Sequence, residues 1–166
     1  MGIRYTCTSN SPSGYGSAAR AFIAALYAAQ VDITVELLYQ MKEVTDYGWT
    51  GRLAMDLVDR DIPYKIKIIH LTPDCLPRYM EEGKYHIAHL FFETDRIPQE
   101  WIQPCNKMGE IWTSSERMKE RLKESGVQVP IYYFPQPIDI TMADRDYGKY
   151  NIPNHKGFLF YSIFQW

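Results

Sequence analysis

Hydrophobic positions along the chain change period repeatedly. Over Gly2–Cys7, the residues Ile3, Tyr5 and Cys7 alternate with others, as in a buried first strand. A small, polar loop, Thr8–Ser13, follows. From about Gly16 to Ala29, Ala18, Phe22, Leu26 and Ala29 share one face of a predicted helix. Val31–Leu38, with its β-branched residues, predicts a second strand. Leu53, Ala54, Leu57 and Val58 form the buried stripe of a helix near Thr50–Arg60, and Pro63 marks its end. The alternation continues with a strand over Lys65–Leu71 and a short helix within Pro73–Glu82, closed by Gly83. His86–Phe92 is a nearly continuous apolar run, as expected of a central parallel strand buried on both faces. Trp101, Ile102, Cys105 and Met108 predict a short helix in which Pro104 is tolerable only in the first turn. Ile111–Thr113 is a brief strand, Ser115 is the N-cap of a helix over Glu116–Ser125, and Gly126 stops it. Pro130 and Pro135 enclose a last short strand, Ile131–Phe134.

Strands separated by helical stretches of about ten residues point to right-handed βαβ units. The predicted fold is therefore Rossmann-like α/β, an open and mostly parallel sheet with helices on both faces. No internal repeat or low-complexity tract interrupts it. Residues 1–139 read as this domain, and residues 140–156, rich in Asp, Tyr, Asn and Pro, read as a linker. Residues 157–166 carry a strong strand, Gly157–Phe164, with no helix after it, which predicts the first strand of a second, truncated domain.

Composition narrows the function classes. Twenty acids against eighteen bases among 166 residues leave a net charge of −2, which argues against a broad nucleic-acid footprint. No apolar run is long enough to span a bilayer, and the N-terminus lacks a signal-peptide core. Gly2 and Thr6 fit a loose myristoylation pattern, but the alternation of Ile3, Tyr5 and Cys7 favours a buried strand there. Cys7, Cys75 and Cys105 are odd in number and far apart, so neither a disulfide framework nor a zinc ribbon has its signature, and a reducing, cytoplasmic setting is expected. Thirteen tyrosines are the one compositional excess. Aromatic faces suit sugars and bases, but they suit cores as well, and the core reading is favoured.

The sharpest local signal is Ser13-Gly14-Tyr15-Gly16-Ser17-Ala18-Ala19, between a strand and a helix. It satisfies G-x-G-x-x-A, and Glu36 lies 22 positions after Gly14, near the end of the second strand. Glycines let backbone N–H groups approach a phosphate, and the helix N-terminus adds a favourable dipole. A dinucleotide fingerprint should follow its strand at once, however, and here Thr8–Ser13 intervenes. The plainer alternative is a glycine-rich turn that only caps the helix.

Glu93 and Asp95 fall just beyond the presumed central strand, where open parallel sheets bind ligands. A carboxylate there can act as a base or stabilise positive charge; the competing reading is a solvated turn in which Arg96 is the partner. His86 and His89, three apart on a strand, face opposite ways, so a joint metal site is not expected and both read as ordinary histidines. Ser115 is explained by capping, and Lys119–Glu124 by a solvated helix face. No G-x-S-x-G elbow is present, and no cysteine has an evident catalytic partner.

In order, Ser13–Arg20, Phe92-Glu-Thr-Asp-Arg-Ile-Pro98, Glu110-Ile-Trp-Thr-Ser-Ser-Glu116, Ser125-Gly-Val127, Pro135-Gln-Pro-Ile-Asp139 and Phe158–Phe164 resemble the N-terminal half of group 1 glycosyltransferases. These enzymes have the two-domain GT-B fold. The resemblance implies transfer of a sugar from a nucleotide-sugar donor, with this half holding a glycan or other acceptor and a missing C-terminal domain holding the donor. It implies that Gly14 and Gly16, with Tyr15 between them, line the cleft near phosphate groups, and that Glu93, with Asp95 beside it, supplies the catalytic carboxylate. Tyr15, Tyr47 and Trp49 are candidates for stacking on a sugar. It implies no metal and no cofactor beyond the co-substrate. Many members have His-Gly at the domain junction where this chain has Gln136-Pro137, a departure that bears on substrate rather than fold. Two alternatives stay open: an NAD(P)-binding oxidoreductase domain, in which Glu36 meets a ribose, and a non-catalytic interaction module.

Overall fold

The computed structural model describes residues 2–39, 46–92 and 94–138. The predicted linker, the strand after it and Glu93 lie outside the described residues. Six strands form one all-parallel sheet: β1 (Gly2–Cys7), β2 (Ile33–Leu37), β3 (Tyr64–Ile69), β4 (Tyr85–Leu90), β5 (Glu110–Thr113) and β6 (Ile131–Tyr133), in the order β2-β1-β3-β4-β5-β6. Among the described residues, five α-helices accompany them: α1 (Gly14–Ala28), α2 (Gly48–Asp56), α3 (Leu76–Tyr79), α4 (Gln99–Asn106) and α5 (Glu116–Glu124). The Rossmann-like α/β expectation holds.

Strand periodicity divides the core into two layers. Tyr5, Cys7, Ile33, Val35, Ile68 and Ile87 point to the face covered by α1 and α2, where they meet Phe22, Ile23, Ala54 and Leu57. Ile69, Ala88, Leu90 and Ile111 point the other way, onto the face of α3, α4 and α5, and meet Leu76, Ile102, Cys105 and Leu122. β4 contributes to both layers, as its continuous apolar run predicts. His86 and His89 face opposite sides of the sheet, and both are buried.

Several local features depart from the expected pattern. α2 ends at Asp56 rather than continuing to Arg60, and Val58 makes a single parallel bridge to Val35 at the free edge of β2. The Val35 N–H donates to the Leu57 carbonyl at 2.8 Å, and the Asp59 N–H donates to the Val35 carbonyl at 3.0 Å. This bridge stands where the third strand of a doubly wound sheet lies, reduced to one residue pair. The helix expected over Pro73–Glu82 is a 3₁₀ turn, Pro73–Cys75, running into one turn of α3, and Met80 is already extended. Pro104 sits inside α4, not in its first turn; the Glu100 carbonyl it cannot reach belongs to an exposed residue, where water can substitute. Ser115 caps α5 by accepting from the Met118 N–H at 3.1 Å, and Gly126 adopts φ +105° just after it, both as expected.

Lys67 is the polar centre of the sheet. It is 2% exposed, and its Nζ lies 2.8 Å from Glu36 and 2.6 Å from Glu81. The Thr6 hydroxyl donates to Glu36 at 2.6 Å and the Tyr64 hydroxyl to Glu81 at 2.6 Å, so three strands are tied across one face. This pairing offsets the cost of burying the charge. Lys67→Met should leave Glu36 without its cation and Glu81 with only the 3.6 Å contact to Arg4. Because these acids are partly exposed, the expected loss in urea unfolding is about 2–4 kcal/mol; an unchanged midpoint would mean that the network is energetically idle.

Candidate functional site

The chain leaves β1 for α1 on one side of the sheet and β3 for α3 on the other, so β1 and β3 flank the switch point where parallel α/β sheets form a crevice. The loop Thr8–Ser13 occupies the carboxyl end of β1. The backbone of that loop folds inward. The Ser11 N–H donates to the Thr8 carbonyl at 2.8 Å, and the Ser17 N–H to the Ser13 carbonyl at 2.9 Å. Nη1 of Arg20 donates to the carbonyls of Ser9 and Ser11 at 2.7 and 2.8 Å. Ser13 caps α1, its Oγ accepting from the Gly16 N–H at 3.1 Å.

The two glycines of the motif have different jobs. A Cβ at Gly16 would lie 2.2 Å from the Ser11 carbonyl oxygen and 2.8 Å from that of Thr8, so only glycine lets the loop close onto the helix. At Gly14 no atom of the described residues comes within 4 Å of the corresponding point, so a side chain would find room there. Gly16 therefore serves the packing of the loop onto the helix, and Gly14 does not.

Tyr15 turns towards the sheet. Its hydroxyl donates to the Phe91 carbonyl, and its ring tilts against His70 at 5.4 Å. The loop is thereby joined to the segment leaving β4. His70, immediately after β3, is fully buried, as is His89 on β4. Their Nδ1 atoms lie 2.9 and 3.2 Å from the Tyr5 hydroxyl. Tyr5 has one proton to donate, so one ring accepts it at Nδ1 and the other donates Nδ1–H back to the oxygen. Burial pulls His70 down to about 3 and His89 down to about 2, the latter helped by His70 beside it, so both rings are neutral. Phe22, Phe91, Trp112 and Phe134 surround His89.

The other candidates are placed as follows. Asp95 is exposed, and its carboxylate pairs with Arg117 of α5 at 2.9 Å, where the sequence suggests Arg96 as partner. It borders an open groove of about 550 Å³ with Gln99, Arg121 and Glu124, and its paired carboxylate faces α5. Glu93 lies outside the described residues, two positions after the Phe91 carbonyl that holds Tyr15. Glu36, the ribose-contacting residue of the dinucleotide alternative, has its Oε2 engaged by both Lys67 and Thr6. Tyr47 has one ring face under the Arg20 guanidinium, 3.8 Å from the ring centroid, and Trp49 is exposed. Burial pushes the Cys7 thiol up to about 11 and the Cys105 thiol up to about 12, which removes both as nucleophiles at neutral pH. Among the described residues, no cluster of three or more potential metal ligands occurs. No helix among them is long and apolar enough to cross a membrane.

Sequence reasoning did not single out Arg20, His70, Tyr5 or His89 as site residues. The available signal was weak: an arginine among alanines on an otherwise apolar helix, and a histidine at the carboxyl end of a strand. No protein-family model matches the chain, and no curated protein matches it.

The contrast between the glycines is directly testable. Gly14→Ala should change stability by less than about 0.5 kcal/mol, because the added methyl meets nothing. Gly16→Ala should cost about 1–3 kcal/mol, because two backbone carbonyls must move. Equal unfolding midpoints for the two variants would refute the assignment of roles.

The histidines predict an acid limb. An unfolded histidine binds a proton below pH about 6.5, whereas native His70 and His89 do not do so until far lower. Their contribution is complete above the unfolded value and is lost as pH falls from there towards 3. The melting temperature should therefore decline steadily below pH about 6. His70→Asn keeps a partner for Tyr5 and removes one titrating group, so the unfolding free energy should fall less steeply with decreasing pH, by about 1.4 kcal/mol per pH unit. An unaltered slope would mean that the His70 ring protonates freely in the native state.

Proposed function

We propose that this chain is the acceptor-side half of a glycosyltransferase that uses a nucleotide-sugar donor, completed by a donor-binding domain. The observation that carries this reading is the Thr8–Ser13 loop. It lies at the switch point of the parallel sheet, turns its carbonyls inward and leaves room at Gly14, the first residue of α1. That arrangement offers donors and a positive dipole end to a phosphate-bearing ligand. The order of motifs from Ser13 to Asp139 agrees with it.

In this reading the diphosphate rests before Gly14 and Tyr15, and Gly16 holds the loop that shapes the cradle. Glu93 is the catalytic carboxylate, acting as base or as stabiliser of developing positive charge on the sugar. Asp95 borders the same segment and is the second candidate carboxylate; in this reading its exposed pair with Arg117 orients that turn. No metal or further cofactor is called on. Catalysis requires donor and acceptor to be held about 3–3.5 Å apart, so this half by itself should bind but not turn over.

The test is sugar transfer from a panel of nucleoside-diphosphate sugars by the complete reading frame's product. Glu93→Gln should lower kcat by roughly 100-fold or more, and Asp95→Asn by less than about tenfold, since its ion pair is exposed. Absence of transfer from every donor, together with saturable NADH binding, would replace this reading with the oxidoreductase one. Full activity in Glu93→Gln would remove Glu93 from the chemistry.

A further inference from the structure

Arg20 is 7% exposed, yet no carboxylate among the described residues forms an ion pair with it. Its guanidinium is compensated by two carbonyls and by the face of Tyr47. The residue sits in the second turn of α1, and helix side chains lean towards the N-terminus, which brings the guanidinium beneath the loop. Tyr47 reaches it because position 51 is glycine: a Cβ there would lie 2.6 Å from that of Tyr47.

The consequence concerns the sign of the loop's surface. Carbonyl oxygens turned towards the start of α1 would repel an anion. Four of the loop's carbonyls, those of Thr8, Ser9, Ser11 and Ser13, are instead taken by donors from within, and Arg20 supplies two of those bonds. The geometry points to Arg20 as the positioning residue of the anion cradle: it withdraws the Ser9 and Ser11 carbonyls and adds a buried positive charge beneath a diphosphate-bearing ligand that never touches it. Tyr47 is the lever that keeps the guanidinium in place and ties the start of α2 to the cradle. The inference rests on the phosphate-loop reading above.

Inorganic pyrophosphate is the probe, titrated into the full chain and followed by the backbone amide signal of Gly14. The wild type should saturate. Arg20→Met should weaken binding by roughly tenfold or more, since it removes both the charge and the two carbonyl bonds. Arg20→Lys keeps the charge but has no planar guanidinium to lie on the Tyr47 ring, so it should recover only part of the affinity. Tyr47→Leu should weaken binding severalfold with Arg20 intact, and decides the matter if Arg20→Met fails to fold. The wild-type affinity should also fall more steeply with added salt than that of Arg20→Met, a difference that a purely structural role would not produce. Saturation by the wild type with the same affinity and salt dependence in folded Arg20→Met, or in Tyr47→Leu where Arg20→Met is unfolded, would overturn the role of Arg20 alone. Absence of saturable binding by the wild type would overturn the phosphate-loop reading, and this inference with it.

Discussion

The close approach of the Thr8–Ser11 backbone to Gly16 is the constraint on which the carboxyl edge of the sheet depends. Interiors are packed at near-crystalline density, and a backbone carbonyl 2.2 Å from a prospective methyl has nowhere to go. Because the loop closes there, Ser13 is left in position to cap α1, and Arg20 can reach two carbonyls with one nitrogen. The same closure sets where α1 starts, and so turns Tyr15 towards His70 and the Phe91 carbonyl. One missing side chain thus organises a loop, a helix start and the junction with β4.

The parallel sheet imposes a second condition. Its strands are covered on both faces, so any polar residue on a central strand must find its partner inside the protein. The two faces solve this differently. On the α1 and α2 face, Tyr5, His70 and His89 share hydrogen bonds as neutral groups within an aromatic shell. On the other face, a charged group is retained, with Lys67 held between two carboxylates. Neutral pairing ties stability to the histidines' protonation, whereas the ionic network binds three strands without depending on it.

Much of the architecture was legible in the sequence because it follows from periodicity. Strand and helix alternation, the doubly buried β4 run, the Ser115 cap and the Gly126 stop each depend on a local rule that a few residues satisfy. The start of α1 at Gly14 rather than near Gly16 was less legible, since a Gly-Tyr-Gly segment reads equally well as loop. Val58 was misassigned to the stripe of α2 because a β-branched apolar residue fits a helix face and an edge bridge alike. In the candidate site, the glycine motif was visible but the division of labour between Gly14 and Gly16 was not. That division depends on what lies across from each position, which spacing does not encode. Arg20 and His70 escaped for the same reason: their meaning comes from partners 9 and 65 positions away in the chain, Ser11 and Tyr5.

The two buried cations of this fold invite a direct comparison. Lys67 and Arg20 are similarly withdrawn from water, at 2% and 7% exposure, and burial of a charge is costly for either. Lys67 receives two carboxylates and so is neutralised within the protein. Arg20 receives two carbonyls, both at Nη1, and a tyrosine face, and among the described residues no carboxylate pairs with it. If the fold required only that the loop be pinned, a neutral donor or an ion pair would serve with a smaller electrostatic penalty. The asymmetry is one that the proposed phosphate-bearing ligand would resolve, since its charge would balance Arg20 where no carboxylate among the described residues does.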